Sequence, residues 1–289
     1  MKRRWKAVFV CALLVCALFI PARADIGPKP SVRVAFTGGA GETFYATLLS
    51  QRSSTGPASA WDGVSDYSHW KYEEAGRPVW EAFVAYEDAD GFYFLQEWWE
   101  SSQTGTLEWT YYPPNPFKVL LYFPEQQAFC VSPVYERYAF DSYYTASITN
   151  WQSGQLTLEK DYPFGWELVS LAARCVLTIL LEVGLAFLFG YRERRVLHLI
   201  TVVNVVTQVG LNVGLNLINY HAGSMAFTAA YILLEVAVCA AEGWLYVRRI
   251  PRVSEREQSR RRAVCYAVAA NALSFGAGLW LARVIPGIF

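Results

Sequence analysis

The stretch VLHLITVVNVVTQVGLNVGLNLIN (196–219) decides how this chain is read. It is long and apolar enough to cross a bilayer, yet it carries Asn204, Gln208, Asn212 and Asn216 at intervals of four residues. Four residues advance an α-helix by about 40° beyond a full turn, so these amides form one slowly drifting stripe. Hydrocarbon offers an amide no hydrogen-bond partner, so the stripe must face protein or water.

Apolar runs at about 166–190, 224–247 and 263–285 join 196–219 to give four expected spans, an all-α four-helix transmembrane bundle over 166–289. Arginine marks the connections unequally. YRERR (191–195) links the first two spans and RRIPRVSEREQSRRR (248–262) the last two, whereas YHAG (220–223) has no Lys or Arg. Cytoplasmic loops collect basic residues, so a multi-pass cell-membrane protein is expected with 25–165 and the carboxyl terminus outside. The amino terminus points the same way. Residues 1–24 read as a signal peptide: Lys2, Arg3, Arg4 and Lys6, an apolar core over 7–20, then Ala22-Arg23-Ala24 ahead of Asp25. An uncleaved anchor would leave the next domain on the same side.

The even balance of 25 basic and 25 acidic residues hides a segregated distribution. Residues 25–165 hold 18 Asp plus Glu against 8 Lys plus Arg, a net of 8 − 18 = −10, while 191–195 and 248–262 together hold 10 Arg and 3 Glu. Nucleic acid is not expected as a partner, because these arginines lie between hydrophobic spans whose orientation already accounts for them. Six cysteines are too few and too scattered for a disulfide scaffold: Cys11 and Cys16 fall in the leader, Cys175, Cys239 and Cys265 in spans, and Cys130 alone in the acidic region, where it reads as a small buried hydrophobe.

Residues 25–165 form an expected extracytoplasmic β-rich domain, a small β-sandwich or α+β fold. Strand-like runs at 31–36, 43–49, 92–99, 107–112, 117–123, 128–132, 142–148 and 155–159 are punctuated by Gly, Pro, Asn and Asp. One helix is expected at 78–87, where Pro78 suits a first turn and Val79, Trp80, Phe83 and Val84 share a face. The following Asp88-Ala89-Asp90-Gly91 invites a calcium reading, but Phe92 and Trp99 stand where further ligands are needed, so it reads as a turn. Aromatics are dense, 7 Trp, 13 Tyr and 10 Phe, and a small core absorbs many of them. Neighbours on a strand point to opposite faces, so the pairs Trp98-Trp99, Tyr111-Tyr112 and Tyr143-Tyr144 are each expected to place one ring outside. Such rings would stack on an extracellular sugar, grip a peptide, or rest on the membrane or the bundle.

Polar residues recur at overlapping depths within the spans. With each span centred in the bilayer, Glu235 is expected level with Gln208 and Asn271, Glu182, Glu242 and Asn204 toward the cytoplasm, and Asn212, Asn216 and Arg174 in the outer half. A carboxylate at the centre must be protonated, paired or hydrated, and Arg174 can neutralise at most one of three. A proton or small cation is the expected partner of the surplus acids; the bland reading is that glutamates and amides only hold helices together, each hydrogen bond contributing roughly 1 kcal/mol. His198 and His221 lie at opposite ends of one span, so no metal or cofactor is expected. No nucleophile elbow or glycine-rich phosphate loop is present, which weighs against an enzyme.

The segments DIGPKPSV (25–32), GETFYATLLS (41–50), FKVLLYFPE (117–125) and YERYAFDSYY (135–144), with TQxxLN (207–212) and LExxVxxxE (234–242), resemble a group of uncharacterised bacterial membrane proteins. That resemblance implies a signal peptide, an outer domain and four spans, and no activity. Two functions stay open: binding, sensing or transport through the polar intramembrane site, or a structural anchor whose amide stripe meets a second copy or another membrane protein.

Overall fold

β-Branched and aromatic residues dominate the first half of the chain and long apolar helices the second. A computed structural model describes residues 28–39, 41–64 and 76–284; the expected signal peptide and the last residues of the fourth expected span lie outside these. The strands are β1 (Ser31–Thr37), β2 (Tyr45–Ser50), β3 (Ser54–Thr55), β4 (Ala58–Ser59), β5 (Tyr93–Phe94), β6 (Trp99–Glu100), β7 (Thr106–Trp109), β8 (Phe117–Phe123), β9 (Ala128–Val131), β10 (Asp141–Ser147) and β11 (Leu158–Lys160). One sheet has the order β11-β10-β1-β7, with β1 and β10 parallel from Ser31 opposite Asp141 to Thr37 opposite Ser147. The other runs β5-β2-β8-β9, with β6 also paired to β2.

The two sheets face each other across an apolar core. Val32, Val34, Leu107 and Tyr144 enter it from the first sheet, and Leu48, Val119, Leu121, Phe123 and Cys130 from the second. The second sheet is covered on its far side too, by helix α1 (Arg77–Ala85), whose Val79, Trp80 and Phe83 pack on Leu49, Phe94 and Leu120. This double cover explains the burial of every residue but Tyr45 in β2 and every residue but Tyr122 in β8, where a one-sided sheet would alternate. The fold is thus a β-sandwich with one helix on its back.

Three sequence expectations change. The run 92–99 is not one strand but β5 and β6, separated at Gln96, whose φ of +64° turns the chain while its side chain donates to Ser59 O at 3.0 Å and accepts from Trp80 Nε1 at 3.2 Å. The helix ends at Ala85 and not at Glu87, because Tyr86 is extended. At 155–159 only the last residues join a sheet; Gln155 makes an isolated bridge to Val131. The turn reading of 88–91 gains a physical cause: the Asp88 carboxylate accepts the N–H groups of Asp90 and Phe92, and Lys118 Nζ reaches Asp88 at 2.8 Å and Asp90 at 2.6 Å.

Cys130 is fully buried, and burial pushes its thiol up to about 11. A water-soluble maleimide should therefore leave Cys130 unmodified until the domain unfolds, read by mass spectrometry of its peptide; rapid native labelling would contradict this packing.

The helical half comprises α2 (Phe164–Leu188), α3 (Arg194–Val253) and α4 (Arg260–Val284). Two of these, α2 and α3, are long and apolar enough to cross a membrane. The count is two and not the expected four: α3 runs through both 196–219 and 224–247, broken only at Gly223. At Gly223 φ is +79° and ψ −179°, a conformation essentially reserved for glycine. The two arms of α3 fold back on each other there: Asn204 meets Tyr246 and Thr207 meets Glu242. With α2 and α4 packed alongside, four helical rods result.

Candidate functional site

The amide stripe turns inward. Asn204, Gln208 and Asn212 are buried and Asn216 half-buried, while Val202, Val205, Val206, Val209 and Val213 of the same arm are exposed. The other rods repeat this inversion: α2 buries Glu182 and exposes Val176, Leu180 and Leu188, and the second arm of α3 buries Glu242 and exposes Ile232, Leu233 and Val236. Apolar residues outside and acids inside is the reverse of the sandwich domain, where burying apolar surface drives folding.

The inward groups fall into three layers. Farthest from the sandwich, the Glu242 carboxylate accepts hydrogen bonds from Thr207 Oγ1 at 2.6 Å and Asn271 Nδ2 at 2.7 Å, tying both arms of α3 to α4. Asn204 Nδ2 donates to Tyr246 OH at 3.1 Å, and Tyr266 OH donates to the backbone oxygen of Glu182 at 3.1 Å. The Glu182 carboxyl is fully buried close to Glu242, with the Asn204 and Ser274 side chains beside it. Asn271 therefore belongs with Glu242 and not, as expected, with Glu235, because its amide is held by the Glu242 carboxylate.

In the middle layer, Glu235, Gln208, Tyr231, Thr178 and Ser274 line a cavity of about 150 Å³. Arg174 and Asn212 close its outer end, with Arg174 Nη1 donating to Asn212 Oδ1 at 3.2 Å. The same two residues form the floor of a second cavity, about 270 Å³, at the junction with the sandwich. Its walls carry Asp141, Tyr143, Tyr162, Trp166, Asn216 and Tyr220. A polar track thus leads from the domain junction through Arg174 and Asn212 to Glu235.

Neither a family model, nor a curated protein, nor a solved structure matches the chain. The site is therefore read from its geometry alone.

The sandwich sits directly on the hairpin of α3. The Phe140 N–H donates to Tyr220 O at 2.8 Å, the Phe140 ring lies against Gly223, and the Tyr162 and Tyr220 rings meet edge to face at 5.3 Å. Tyr143 lines this junction, so it faces the bundle and not an outside ligand. Its neighbour Tyr144 is buried in the core, where its hydroxyl donates to Glu136 O at 2.6 Å and burial raises the phenol. The tryptophan pair departs from expectation: Trp98 is buried against α1 and Trp99 half-buried on Trp109, because both faces of the sheet are covered. Of the three pairs, Tyr111-Tyr112 alone stays exposed, both rings of it, with Lys29 Nζ 5.1 Å from the Tyr112 ring. Among the described residues no cluster of His, Cys, Asp and Glu is arranged to hold a metal ion.

Sequence reasoning missed Thr207, Ser274 and Tyr266 as members of the polar interior. Two signals were present: Thr207 precedes a stripe residue, and Ser274 follows Asn271 by three positions and so shares its face.

Proposed function

We propose that the chain is a multi-pass membrane protein whose four helical rods enclose a polar site that binds or passes a proton or small cation. The sandwich domain and carboxyl terminus lie outside, and the arginine-rich loops are cytoplasmic. The observation that carries this reading is the burial of Glu182, Glu242 and their amide partners inside rods whose outer faces are Val, Leu and Ile. Water would not select that arrangement, whereas lipid accepts the exposed faces and forces the polar groups inward. Two buried acids close together do not both hold a charge without a counter-ion, so a proton or cation belongs there. The 150 Å³ and 270 Å³ cavities supply its route from the outer junction as far as Glu235, gated by the Arg174–Asn212 pair. Outside, Tyr111 and Tyr112 offer flat faces to a sugar or peptide.

The test uses full-length protein in vesicles loaded with a pH-sensitive dye. Glu235→Gln and Glu182→Gln should each reduce proton-linked signal at least about tenfold, as expected for removing a proton-carrying group. Wild-type flux in both variants would remove these acids from the mechanism.

One observation favours a structural reading: Glu242 bonds Thr207 and Asn271 at once and so joins three rods. On that reading wild-type vesicles show no flux, and Asn271→Leu lowers bundle stability by roughly 1 kcal/mol. The stripe does not serve as an interface to a second copy in this reading, since Asn204, Gln208 and Asn212 are already covered by their own chain.

A further inference from the structure

At the end of the bundle away from the sandwich, the last turns of α3 and the start of α4 form a cleft of about 540 Å³. Arg248, Arg249, Arg252 and Arg260 line it together with Trp244 and Gln258. The Arg248 guanidinium lies 4.2 Å from the Trp244 ring centroid, and Trp244 is exposed. Two of the nearby acids are engaged elsewhere: Glu193 accepts from Ser254 Oγ and the Glu255 N–H, both at 2.8 Å, and Glu255 pairs with Arg195, while Glu257 does not line the cleft. Among the described residues none of the four cleft arginines has a carboxylate partner. Orientation by positive charge needs arginines near the membrane but does not require four of them to converge on one cavity beside an aromatic ring.

We propose that this cleft binds the phosphate headgroup of an anionic membrane lipid. Guanidinium groups present paired N–H donors that match two phosphate oxygens, and Trp244 sits at the boundary where indole rings meet headgroups. Gln258 adds a buried Oε1 with no donor among the described residues, suited to a hydroxyl of a glycerol-type headgroup. The apolar flank, Val236 and Leu233 about two and three turns back from Trp244 along the same arm, leaves room for acyl chains against the helix.

The proposal rests on the membrane reading, so insertion is checked first by flotation of full-length protein with vesicles; failure there sinks that reading and this one with it. Inserted protein is then extracted, and retained phosphatidylglycerol and phosphatidylcholine are compared by native mass spectrometry, with inorganic phosphate as competitor. Phosphatidylglycerol should be retained at least about tenfold over phosphatidylcholine, and Arg248→Gln, Arg252→Gln and Arg260→Gln together should weaken it on the order of 100-fold, each arginine contributing about fivefold. Arg252→Gln alone, at about fivefold, serves should the triple variant not purify, and Arg192→Gln, outside the cleft, should retain wild-type binding. Equal retention of the two lipids, or an unchanged triple variant, overturns the proposal. Complete displacement by inorganic phosphate also overturns it, assigning the cleft to a free anion.

Discussion

Lys118→Met is expected to destabilise the sandwich by about 3–5 kcal/mol, a large share of what holds a small domain folded. Lys118 projects from β8 with its side chain 5% exposed, and Asp88 opposite is 1% exposed. Its ammonium holds Asp88 and Asp90 together and lies 5.1 Å from the Phe92 ring centroid. Removing the cation strands a buried carboxylate at the turn that ends α1, which is far costlier than never having the pair. The double variant Lys118→Met with Asp88→Leu should therefore recover part of the loss in urea denaturation; equal instability of single and double variants would refute this account. Burial alone would lower the Lys118 pKa, but hydrogen bonds to Asp88 and Asp90 outweigh it and the pKa is raised. A raised cation contributes its full stability below its unfolded value of 10.5 and loses it as pH climbs through the higher folded value, so the urea midpoint should fall only above about pH 10.5.

Gly223→Ala should unseat the sandwich from the bundle. The backbone there is left-handed and extended, costing a residue with a Cβ about 1–3 kcal/mol. The new Cβ would also stand 2.5 Å from the Phe140 ring. Phe140 must then move, and its N–H bond to Tyr220 O goes with it. Hydrogen exchange at the Phe140 amide should accelerate by at least about tenfold, with the rods themselves unchanged. Adding Phe140→Ala relieves the steric part and leaves the backbone part, so partial recovery of protection at the residue-140 amide in the double variant separates the two. Native protection in Gly223→Ala would mean the hairpin tolerates a side chain.

The division into a β-rich first half and long helices was legible because strand and helix periods differ and because turn residues cluster between the strands. The inward stripe was legible for a stronger reason: four amides at one spacing have only one satisfactory environment. Other features were hidden by pairwise geometry. Nothing local to Trp98-Trp99 says that a helix 13 residues earlier covers the sheet's second face, and so both rings fold in. Lys118 reads as a solvated charge on a strand until Asp88 arrives from 30 positions away. Span counting by apolar runs separated 196–219 from 224–247, yet one glycine dihedral is all that parts them, and a dihedral leaves no mark in composition.

The sandwich meets the rods through the short covalent passage from β11 into α2 and, at the α3 hairpin, through Phe140 and the Tyr162–Tyr220 ring contact. A tilt of the sheets would reach Tyr220 and the start of α2 first, about one turn from Asn216 and about three turns from Arg174, both of which line the junction cavity.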